Sequence, residues 1–466
     1  MGWVSLLPPI IAIAVVLWRK EVLLALILAI FASEVLLQFG PGSTSSLSAA
    51  IPMGGLAMID RIVAVFADPD NARLLTFALM IGALLAFMYR SGGVAAVIDI
   101  IVGKGFVKTK RQASLTPAII GMVVFVESNL SVLTAGLVSR GLFDRYGLSR
   151  AKLAYFVDST SAPVCILLLL NGWGAFVLAL LSAYEFEVTA AEVLWGSVIF
   201  NFYAIVTLII VFYSATTQRF YGPLAVAENK ADSEIEQSEV QEEVFEATRA
   251  RFMVLPLLTM IFGMAGFMLW TGGGDITSGS GPKSILYATA LACLVGYLLL
   301  ISDKNFSHKH IVEIGIKGMN ELFPIVLLLL LSIALGASLK MLGTGSFIAG
   351  IVSGNLHPIF VAPLLFLAGG LISFFTGTSW GTFAILIPLA MPLVGAFDLP
   401  PAFLLAAVLG GGVFGDHCSP ISDTTLVSSL AAGCDLLDHV RTQLPYALTA
   451  GGITIVLYLL TGAFFL

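Results

Sequence analysis

Long runs of apolar residues recur along the chain and are separated by short polar segments. A run of about 20 apolar residues matches the hydrocarbon thickness of a bilayer, so each run predicts a membrane-spanning helix. Ten full crossings are predicted, near residues 4–18, 21–39, 71–89, 151–182, 191–214, 252–270, 284–302, 321–341, 402–432 and 442–465. The pattern therefore predicts an all-α membrane protein.

Two further apolar segments, 113–143 and 358–396, are too long for one crossing and carry small and polar residues in the middle. Each arm of about 12 to 18 residues is short for a full crossing. We therefore expect two re-entrant hairpins, whose non-helical tips must be buried in protein or line a cavity. The segments 45–67, 92–107 and 306–320 mix charged and apolar residues, and we expect them at the membrane interface.

Composition excludes several classes of protein. Of the 466 residues, 58% are hydrophobic and only 11% are charged, whereas soluble domains carry about 25% charged residues. There is no Walker A sequence, no Cys/His metal-binding pattern and no nucleophile elbow, and no basic stripe of the kind that binds nucleic acid. We expect neither an enzyme nor an ATP-driven pump, and no cofactor, which leaves coupling to an ion gradient.

The distribution of basic residues predicts the topology. With the N-terminus placed outside, all but four of the 23 Lys and Arg residues fall on the cytoplasmic side, as the positive-inside rule requires. The four exceptions are Arg61, Arg73, Lys283 and Lys340. Both termini then lie outside, and the acidic linker at 216–251, expected to be solvated with a short helix at most, is cytoplasmic.

This topology divides the chain into two repeats, 1–215 and 252–466, on either side of the linker. Each repeat has five transmembrane helices plus one re-entrant hairpin. Five crossings is an odd number, so the two repeats have inverted topology, with broken helices meeting near the membrane midplane as in many secondary transporters. The similarity of Asp158-Ser159-Thr160-Ser161-Ala162-Pro163 to Asp416-His417-Cys418-Ser419-Pro420, allowing one gap, supports the repeat.

Polar residues interrupt the apolar pattern at four breaks, which are 127–131, 158–163, 376–382 and 415–425. Gly and Pro release backbone carbonyls from helical pairing, and Ser, Thr and Asn add further oxygen atoms. Such hard oxygen ligands suit a hard cation such as Na⁺, while the N-termini of half-helices can face an anionic group. The breaks therefore predict one central site for a cation, an organic anion or both.

Intramembrane carboxylates are costly and mark transport sites more often than packing contacts. The candidate ion- or substrate-binding residues are Glu127, Ser128, Asn129, Ser131, Asp158, Ser159, Thr160, Thr376, Gly377, Thr378, Ser379, Asp416, His417, Ser419, Ser422 and Asp423. We expect Na⁺ at Asp158, Thr378 and Asp416. Several roles stay open: His417 either titrates or only hydrogen-bonds across its break, Trp380 is interpreted as a packing residue, and Glu34 either makes a structural contact or lines the pathway.

Several stretches resemble the NhaC-type Na⁺/H⁺ antiporter family of the ion transporter superfamily. They are Phe414–Thr425, Asp438–Tyr446, Thr376–Phe383, Lys152–Tyr155, Val157–Thr160 and Ala162–Pro163. The resemblance implies a secondary transporter of the bacterial inner membrane, dimeric, with a scaffold and an elevator-like transport domain that holds both hairpins. It implies Na⁺ and H⁺ as the coupling ions.

The first hairpin tip departs from the family pattern. Members often carry a Phe-Asp-Asp-Tyr-Ala-Asn-Thr-like sequence where this chain has Phe125-Val126-Glu127-Ser128-Asn129-Leu130-Ser131. We predict Na⁺/H⁺ antiport, and the alternative is Na⁺-coupled transport of a small amino acid or carboxylate. A channel or a non-transporting scaffold fits the closed hairpins and buried acids less well.

Overall fold

The computed structural model describes residues 2–19, 21–39, 47–102, 107–125, 128–231, 248–274, 279–303, 305–345, 347, 350 and 356–465. These residues form helices, with no strand among them. The α-helices are α1 (Leu7–Arg19), α2 (Val22–Gln38), α3 (Leu47–Ala64), α4 (Pro69–Arg90), α5 (Gly93–Val102), α6 (Lys110–Val123), α7 (Ser128–Arg145), α8 (Arg150–Leu168), α9 (Gly172–Leu181), α10 (Ala190–Phe200), α11 (Phe202–Thr217), α12 (Gly222–Ala231), α13 (Arg251–Thr271), α14 (Gly281–Ile301), α15 (His308–Leu342), α16 (Val361–Thr376), α17 (Ser379–Ala390), α18 (Leu393–Phe397), α19 (Pro401–Cys418), α20 (Asp423–Ala432) and α21 (Leu436–Phe464).

Nine helices in the described part of the chain are long and apolar enough to cross a membrane, and α10 with α11, bent by 41° at Asn201, makes up to ten. They are Ser48–Ala67, Pro69–Arg90, Arg150–Leu168, Arg251–Thr271, Gly281–Ile301, His308–Leu342, Pro358–Thr376, Pro401–Cys418 and Leu436–Phe464. The chain is thus an all-helical, multi-pass membrane protein, as its hydropathy predicts. That the two halves are inverted repeats stays a prediction.

Two predicted single spans are each divided in the structure. The segment 151–182 forms α8 and α9, because Leu169 takes a left-handed conformation (φ 48°) and Asn171 caps the next helix through Gly174 N. The segment 402–432 forms α19 and α20, separated by residues 419–422. Both predicted hairpin segments are divided in their middles, between α6 and α7 and between α16 and α17. Their re-entrant course stays a prediction.

Two segments expected at the interface form parts of long helices, and their position at the interface stays a prediction. Residues 308–320 continue into the predicted span 321–341, forming the 35-residue α15. Ser307 caps this helix and no glycine in a left-handed conformation ends it until Gly343. The charged residues before position 321 had suggested a separate element, but they lie in the first turns of α15. The segment 45–67 contains α3, which is also of spanning length and apolarity.

The linker between the two halves is anchored at its first part by a buried lysine. Lys152 at the start of α8 has no exposed side-chain area, and its Nζ lies 3.0 Å from Glu228 Oε1 on α12 and 2.9 Å from Gln218 Oε1. Glu228 also accepts hydrogen bonds from the backbone N–H and hydroxyl of Ser149. The linker therefore contains a short helix, as expected, but Glu228 is a structural partner of α8 rather than a solvated charge. Residues 232–247 lie outside the described residues.

Helices α4 and α15 approach until their backbones touch. A Cβ atom on Gly318 would lie 2.1 Å from the carbonyl oxygen of Gly82, so a larger side chain forces the helices apart. We expect Gly318→Leu to destabilise the protein by about 3 kcal/mol, at the upper end of the usual cost of overpacking. Thermal unfolding followed by size-exclusion chromatography in detergent measures the change. The matched control is Gly266→Leu on α13, where an added Cβ has no neighbour within 4 Å; equal stability of the two variants would contradict close α4–α15 packing.

Candidate functional site

The third and fourth breaks are in direct contact. Helix α16 ends at Gly377, whose φ of 68° favours glycine, and a Cβ there would lie 2.4 Å from Ile421 O. The backbone N–H of Asp423 donates to Gly377 O (3.3 Å), and the Ser419 hydroxyl donates to Phe374 O (2.7 Å). The tip between α16 and α17 is therefore held against the break between α19 and α20.

Asp416, on the last turn of α19, is fully buried and faces this tip. Its Oδ1 accepts a hydrogen bond from the Ser373 hydroxyl (2.7 Å), and its Oδ2 accepts one from the backbone N–H of Ser379 (3.1 Å). Ser379 is the first residue of α17, so the carboxylate lies at the positive end of that helix. The Asp416 carboxylate thus links both α16 and α17 to α19.

The first break packs against residues 158–163, which were predicted as a second break but form part of the continuous helix α8. The Ser161 hydroxyl on α8 donates to Ser128 O (2.7 Å), and the Ser131 hydroxyl donates to Gly121 O (3.0 Å). Phe125 O accepts from Cys165 Sγ and Asn171 Nδ2, both at 3.1 Å. The tip between α6 and α7 is therefore held against α8. Glu127, a predicted ligand at this tip, lies outside the described residues.

Asp158, in the middle of α8, connects that helix to the fourth break and to α21. Its side chain has no exposed area. Its Oδ2 accepts hydrogen bonds from Gln443 Nε2 (2.6 Å), His439 Nε2 (3.3 Å) and the Thr425 hydroxyl (3.5 Å). Its Oδ1 has no hydrogen-bond partner within the described part of the protein. A buried carboxylate oxygen without a donor is a ready ligand for a cation.

Asp423, at the start of α20, lies close enough to the other two acids to interact with their charges. It is repelled by Asp158, it repels Asp416, and its carboxylate accepts a hydrogen bond from the Asn129 side chain. Thr425 on the same helix donates to Asp416 O at 3.0 Å. Helix α20 therefore carries a carboxylate and a hydroxyl that contact both halves of the chain.

Close packing brings α20 against the first half. A Cβ on Gly136 of α7 would lie 2.6 Å from the Ala431 Cβ, so these helices touch through small residues. Arg140 Nε donates to Ala431 O (2.8 Å), Arg140 Nη2 donates to Leu430 O, and Arg150 Nη1 donates to Ala432 O (3.0 Å). The two arginines thereby satisfy the last carbonyl groups of α20.

The cluster has no basic counter-ion among the residues the structure describes. Among the described residues, no Lys or Arg forms an ion pair with Asp158, Asp416 or Asp423. The contact between Asp158 and His439 is an ion pair only when the histidine is protonated. Asp158 and Asp416 are fully buried, whereas Asp423 is exposed at the start of α20. A proton or a cation that binds there can neutralise the charge of the two buried carboxylates.

Other predicted residues occupy the same region with local roles. The Thr376 hydroxyl donates to Ile372 O (2.9 Å), within its own helix end. Ser422 and Thr424 share a hydrogen bond of 3.1 Å, and the Thr160 hydroxyl donates to Phe156 O (2.7 Å). Ser159 is buried on α8 beside Asp158. Thr378 precedes Ser379, and its carbonyl accepts from the Thr382 hydroxyl (3.0 Å).

Three residues had alternative interpretations. His417 Nδ1 and the Tyr203 hydroxyl share a hydrogen bond of 2.9 Å, which joins α19 to α11 and does not cross the break that follows His417. Trp380 packs on Trp173 (ring centroids 5.2 Å apart) and Phe176 (5.0 Å), as a packing residue would. Glu34 accepts from Arg61 Nε (2.7 Å) and the Ser338 hydroxyl (2.6 Å), so its contact joins α2, α3 and α15 away from the four breaks.

Sequence reasoning missed three residues of the site, His439, Gln443 and Tyr203, and it placed Thr425 in the fourth break without naming it as a ligand. His439 and Gln443 are four residues apart and therefore lie on one face of α21, which points them both at Asp158. Plotting residues 436–464 on a helical wheel would have shown these two polar side chains on one face of an otherwise apolar helix.

A cavity of about 750 Å³ lies elsewhere, between the 184–188 loop, the end of α15 and the end of α17. Within the described residues, its lining includes Glu185, Lys340 and Asp398 but none of the three clustered aspartates. The carboxylate cluster is therefore closed off from this cavity in the conformation described.

Comparison with known proteins identifies the relatives of the chain. Residues 154–463 match the Na⁺/H⁺ antiporter family. An uncharacterized protein of Haemophilus influenzae is 33% identical over 94% of this chain and 89% of its own length. The malate-2H⁺/Na⁺-lactate antiporter of Bacillus subtilis is 31% identical over 37% of this chain and 36% of its own. The Na⁺/H⁺ antiporter NhaC of Alkalihalophilus pseudofirmus is 33% identical over 32% and 31%.

A solved structure shares the fold. The YdaH transporter of Alcanivorax borkumensis superposes with a TM-score of 0.62 over 97% of this chain and 98% of that one, at 14% identity. At this level of identity the match speaks for the architecture alone. The fold described above is thus one that a known membrane transporter adopts.

Proposed function

Because this chain belongs to the Na⁺/H⁺ antiporter family, we propose that it exchanges Na⁺ for H⁺ across the membrane as a secondary active transporter. The observation that carries this proposal is a cluster of carboxylates in which Asp158 and Asp416 are fully buried and the exposed Asp423 lies beside them, without a Lys or Arg partner in the described part of the chain.

The energetics of the cluster favour competition between protons and a metal cation. An ionised Asp at the centre of a spanning helix, such as Asp158, costs roughly 2.5–3.5 kcal/mol on insertion scales, and the charge of Asp423 repels those of Asp158 and Asp416. Binding a proton or a cation removes that cost. Because both ligands neutralise the same carboxylates, one must leave before the other binds, and this exclusion is the chemical requirement for antiport.

The ligand atoms of the cluster are mainly oxygen atoms. Asp158 Oδ1, the hydroxyl of Thr425 and the carbonyl groups around the 419–422 break are hard donors, which suit Na⁺. Asp158 and Asp416 are proposed as the primary ligands, with Asp423 and the Thr378–Ser379 tip completing the site. Na⁺ and H⁺ are the transported ions in this proposal.

Two matching contacts support an inverted repeat. Ser161 lies three residues after Asp158 and Ser419 lies three residues after Asp416, and each hydroxyl donates at 2.7 Å to a carbonyl near the tip of its own half's divided segment. In keeping with this symmetry, we propose that the two re-entrant hairpins move with the carboxylates as an elevator-like domain. A homodimer in the bacterial inner membrane, with both termini outside, completes the proposal.

The proposal is tested by ²²Na⁺ uptake into proteoliposomes that contain the purified protein. An imposed pH gradient, acidic inside, is expected to drive accumulation of ²²Na⁺ above its equilibrium level, and collapsing the gradient with nigericin in the presence of K⁺ is expected to abolish it. Empty liposomes are the control. Uptake that is indifferent to the pH gradient would contradict antiport.

A second candidate is Na⁺-coupled transport of a small amino acid or carboxylate. It is favoured by the departure at the first hairpin tip and by relatives whose names include malate, lactate, arginine and ornithine. Uptake of a labelled panel of such acids, measured with and without a Na⁺ gradient, decides between the candidates. Accumulation of one compound that requires Na⁺ would favour the second function, and indifference to Na⁺ for every compound would reject it.

A further inference from the structure

Gln443 of α21 joins the two halves of the carboxylate cluster through one amide group. Its Nε2 donates to Asp158 Oδ2 (2.6 Å) and to His417 O (3.1 Å), and the side chain is 1% exposed. Asp158 belongs to α8 in the first half of the chain, whereas His417 belongs to α19 in the second. The NH₂ group therefore sits between a carboxylate and a backbone carbonyl from different parts of the site.

The chemistry of these two neighbours decides which end of the amide faces them. A carbonyl oxygen only accepts hydrogen bonds, and an ionised carboxylate also only accepts. The NH₂ end must therefore point at both, and the amide oxygen must point away. Consistent with this, Gln443 Oε1 is buried without a hydrogen-bond partner in the described part of the protein. Leaving a buried acceptor unpaired is energetically unfavourable.

We propose that the NH₂ group of Gln443 occupies the place of a monovalent hard cation, and that Gln443 becomes a ligand of that cation when its amide turns over. This inference rests on the proposed function. With a cation between Asp158 Oδ2 and His417 O, the NH₂ group is repelled and Oε1 is attracted. The orientation of the amide thus depends on whether the cation is bound. The Thr425 hydroxyl, 3.5 Å from the same carboxylate oxygen, supplies a fourth oxygen atom.

This arrangement has a mechanical consequence. Without a cation, the two hydrogen bonds of Gln443 keep α8, α19 and α21 together and satisfy the carboxylate. With a cation, the same three helices are joined through its ligands. The cluster is therefore closed in both states, as an exchanger requires, and it loses its bridge only while neither the NH₂ group nor a cation is in place.

The inference is tested by Na⁺ binding to purified Gln443→Leu, measured with ²²Na⁺ in detergent. We expect the apparent affinity for Na⁺ to fall at least about tenfold, and Gln443→Glu, which keeps an oxygen ligand at the same reach, to retain Na⁺ binding. Thr454→Val on the same helix, which removes a buried hydroxyl bonded to Ala450 O, is the control for damage to α21. If Gln443→Leu fails to fold, Gln443→Asn, one methylene shorter, takes its place with the same expectation.

A direct readout is the infrared difference spectrum induced by Na⁺. The side-chain amide C=O stretch of wild-type protein is expected to shift when Na⁺ is added, and Gln443→Leu is expected to lack this band. Wild-type Na⁺ affinity in Gln443→Leu, or a band that persists in it, would overturn the inference and leave the proposed function intact. Absence of Na⁺ binding to the wild type would instead reject the proposed function.

Discussion

Asp416→Asn is expected to lower Na⁺-driven proton movement at least about 100-fold, which corresponds to about 2.7 kcal/mol. The substitution keeps the size of the side chain but removes the charge that a bound cation must balance. It also places an NH₂ group against one of two hydrogen-bond donors, the Ser373 hydroxyl or the Ser379 N–H, which now bond to the two carboxylate oxygens. Alkalinisation inside proteoliposomes after a Na⁺ gradient is imposed, followed with a trapped pH dye, measures the effect.

The control for this prediction is Asp60→Asn on α3, because Asp60 is exposed and lies away from the four breaks. It removes one carboxylate from the same protein and is expected to leave the rate unchanged. Retention of more than a tenth of the wild-type rate in Asp416→Asn would show that this carboxylate is dispensable for transport.

Asp158→Asn is expected to weaken Na⁺ binding about 100-fold while leaving the protein folded. Asp158 Oδ1 is the buried oxygen without a donor, and Oδ2 is the atom to which Gln443, His439 and Thr425 converge. An asparagine provides one neutral oxygen in place of two charged ones. In both orientations of the asparagine amide the cation loses its anionic ligand, and in one of them the NH₂ group also faces the NH₂ group of Gln443.

Binding of ²²Na⁺ measured at several pH values checks this prediction. In the wild type, the apparent Na⁺ affinity is expected to fall as the pH is lowered, because protons compete for the same carboxylates. This pH dependence is expected to be much weaker in Asp158→Asn and unchanged in the exposed variant Asp99→Asn. Equal Na⁺ affinity at every pH in the wild type would mean that protons and Na⁺ do not share the site.

The third and fourth breaks were predictable from sequence because local chemistry marks them, whereas the predicted break at 158–163 is wrong, because α8 runs unbroken from Arg150 to Leu168. Gly377 needs a left-handed conformation, and Ser419-Pro420 interrupts an apolar run, so both positions are visible without any tertiary information. We expected the breaks to lie close together because two inverted hairpins would place their tips at one central site. What brings them together, however, is long-range packing such as Gly136 against Ala431, which no local pattern specifies.

The residues that were missed lie inside regular helices. His439 and Gln443 interrupt no helix, and Gln443 lies within the predicted span 442–465 while His439 lies just before it, so a search for breaks passes over them. The opposite error occurred at α15, where charged residues in the first turns of a long helix suggested a separate element. In α21 and at the start of α15, the sequence shows which residues are polar, but the tertiary structure determines which groups those residues contact.

The central claim is that Na⁺ and H⁺ compete for the carboxylate cluster around the buried Asp158 and Asp416, and proton release on Na⁺ binding tests it most directly. Purified protein in weakly buffered detergent solution is titrated with NaCl while a pH dye reports protons, and choline chloride corrects for ionic strength. We predict a saturable release of protons from the wild type and none from Asp158→Asn or Asp416→Asn. Na⁺ binding without proton release, at a pH where the cluster is protonated, would contradict the account.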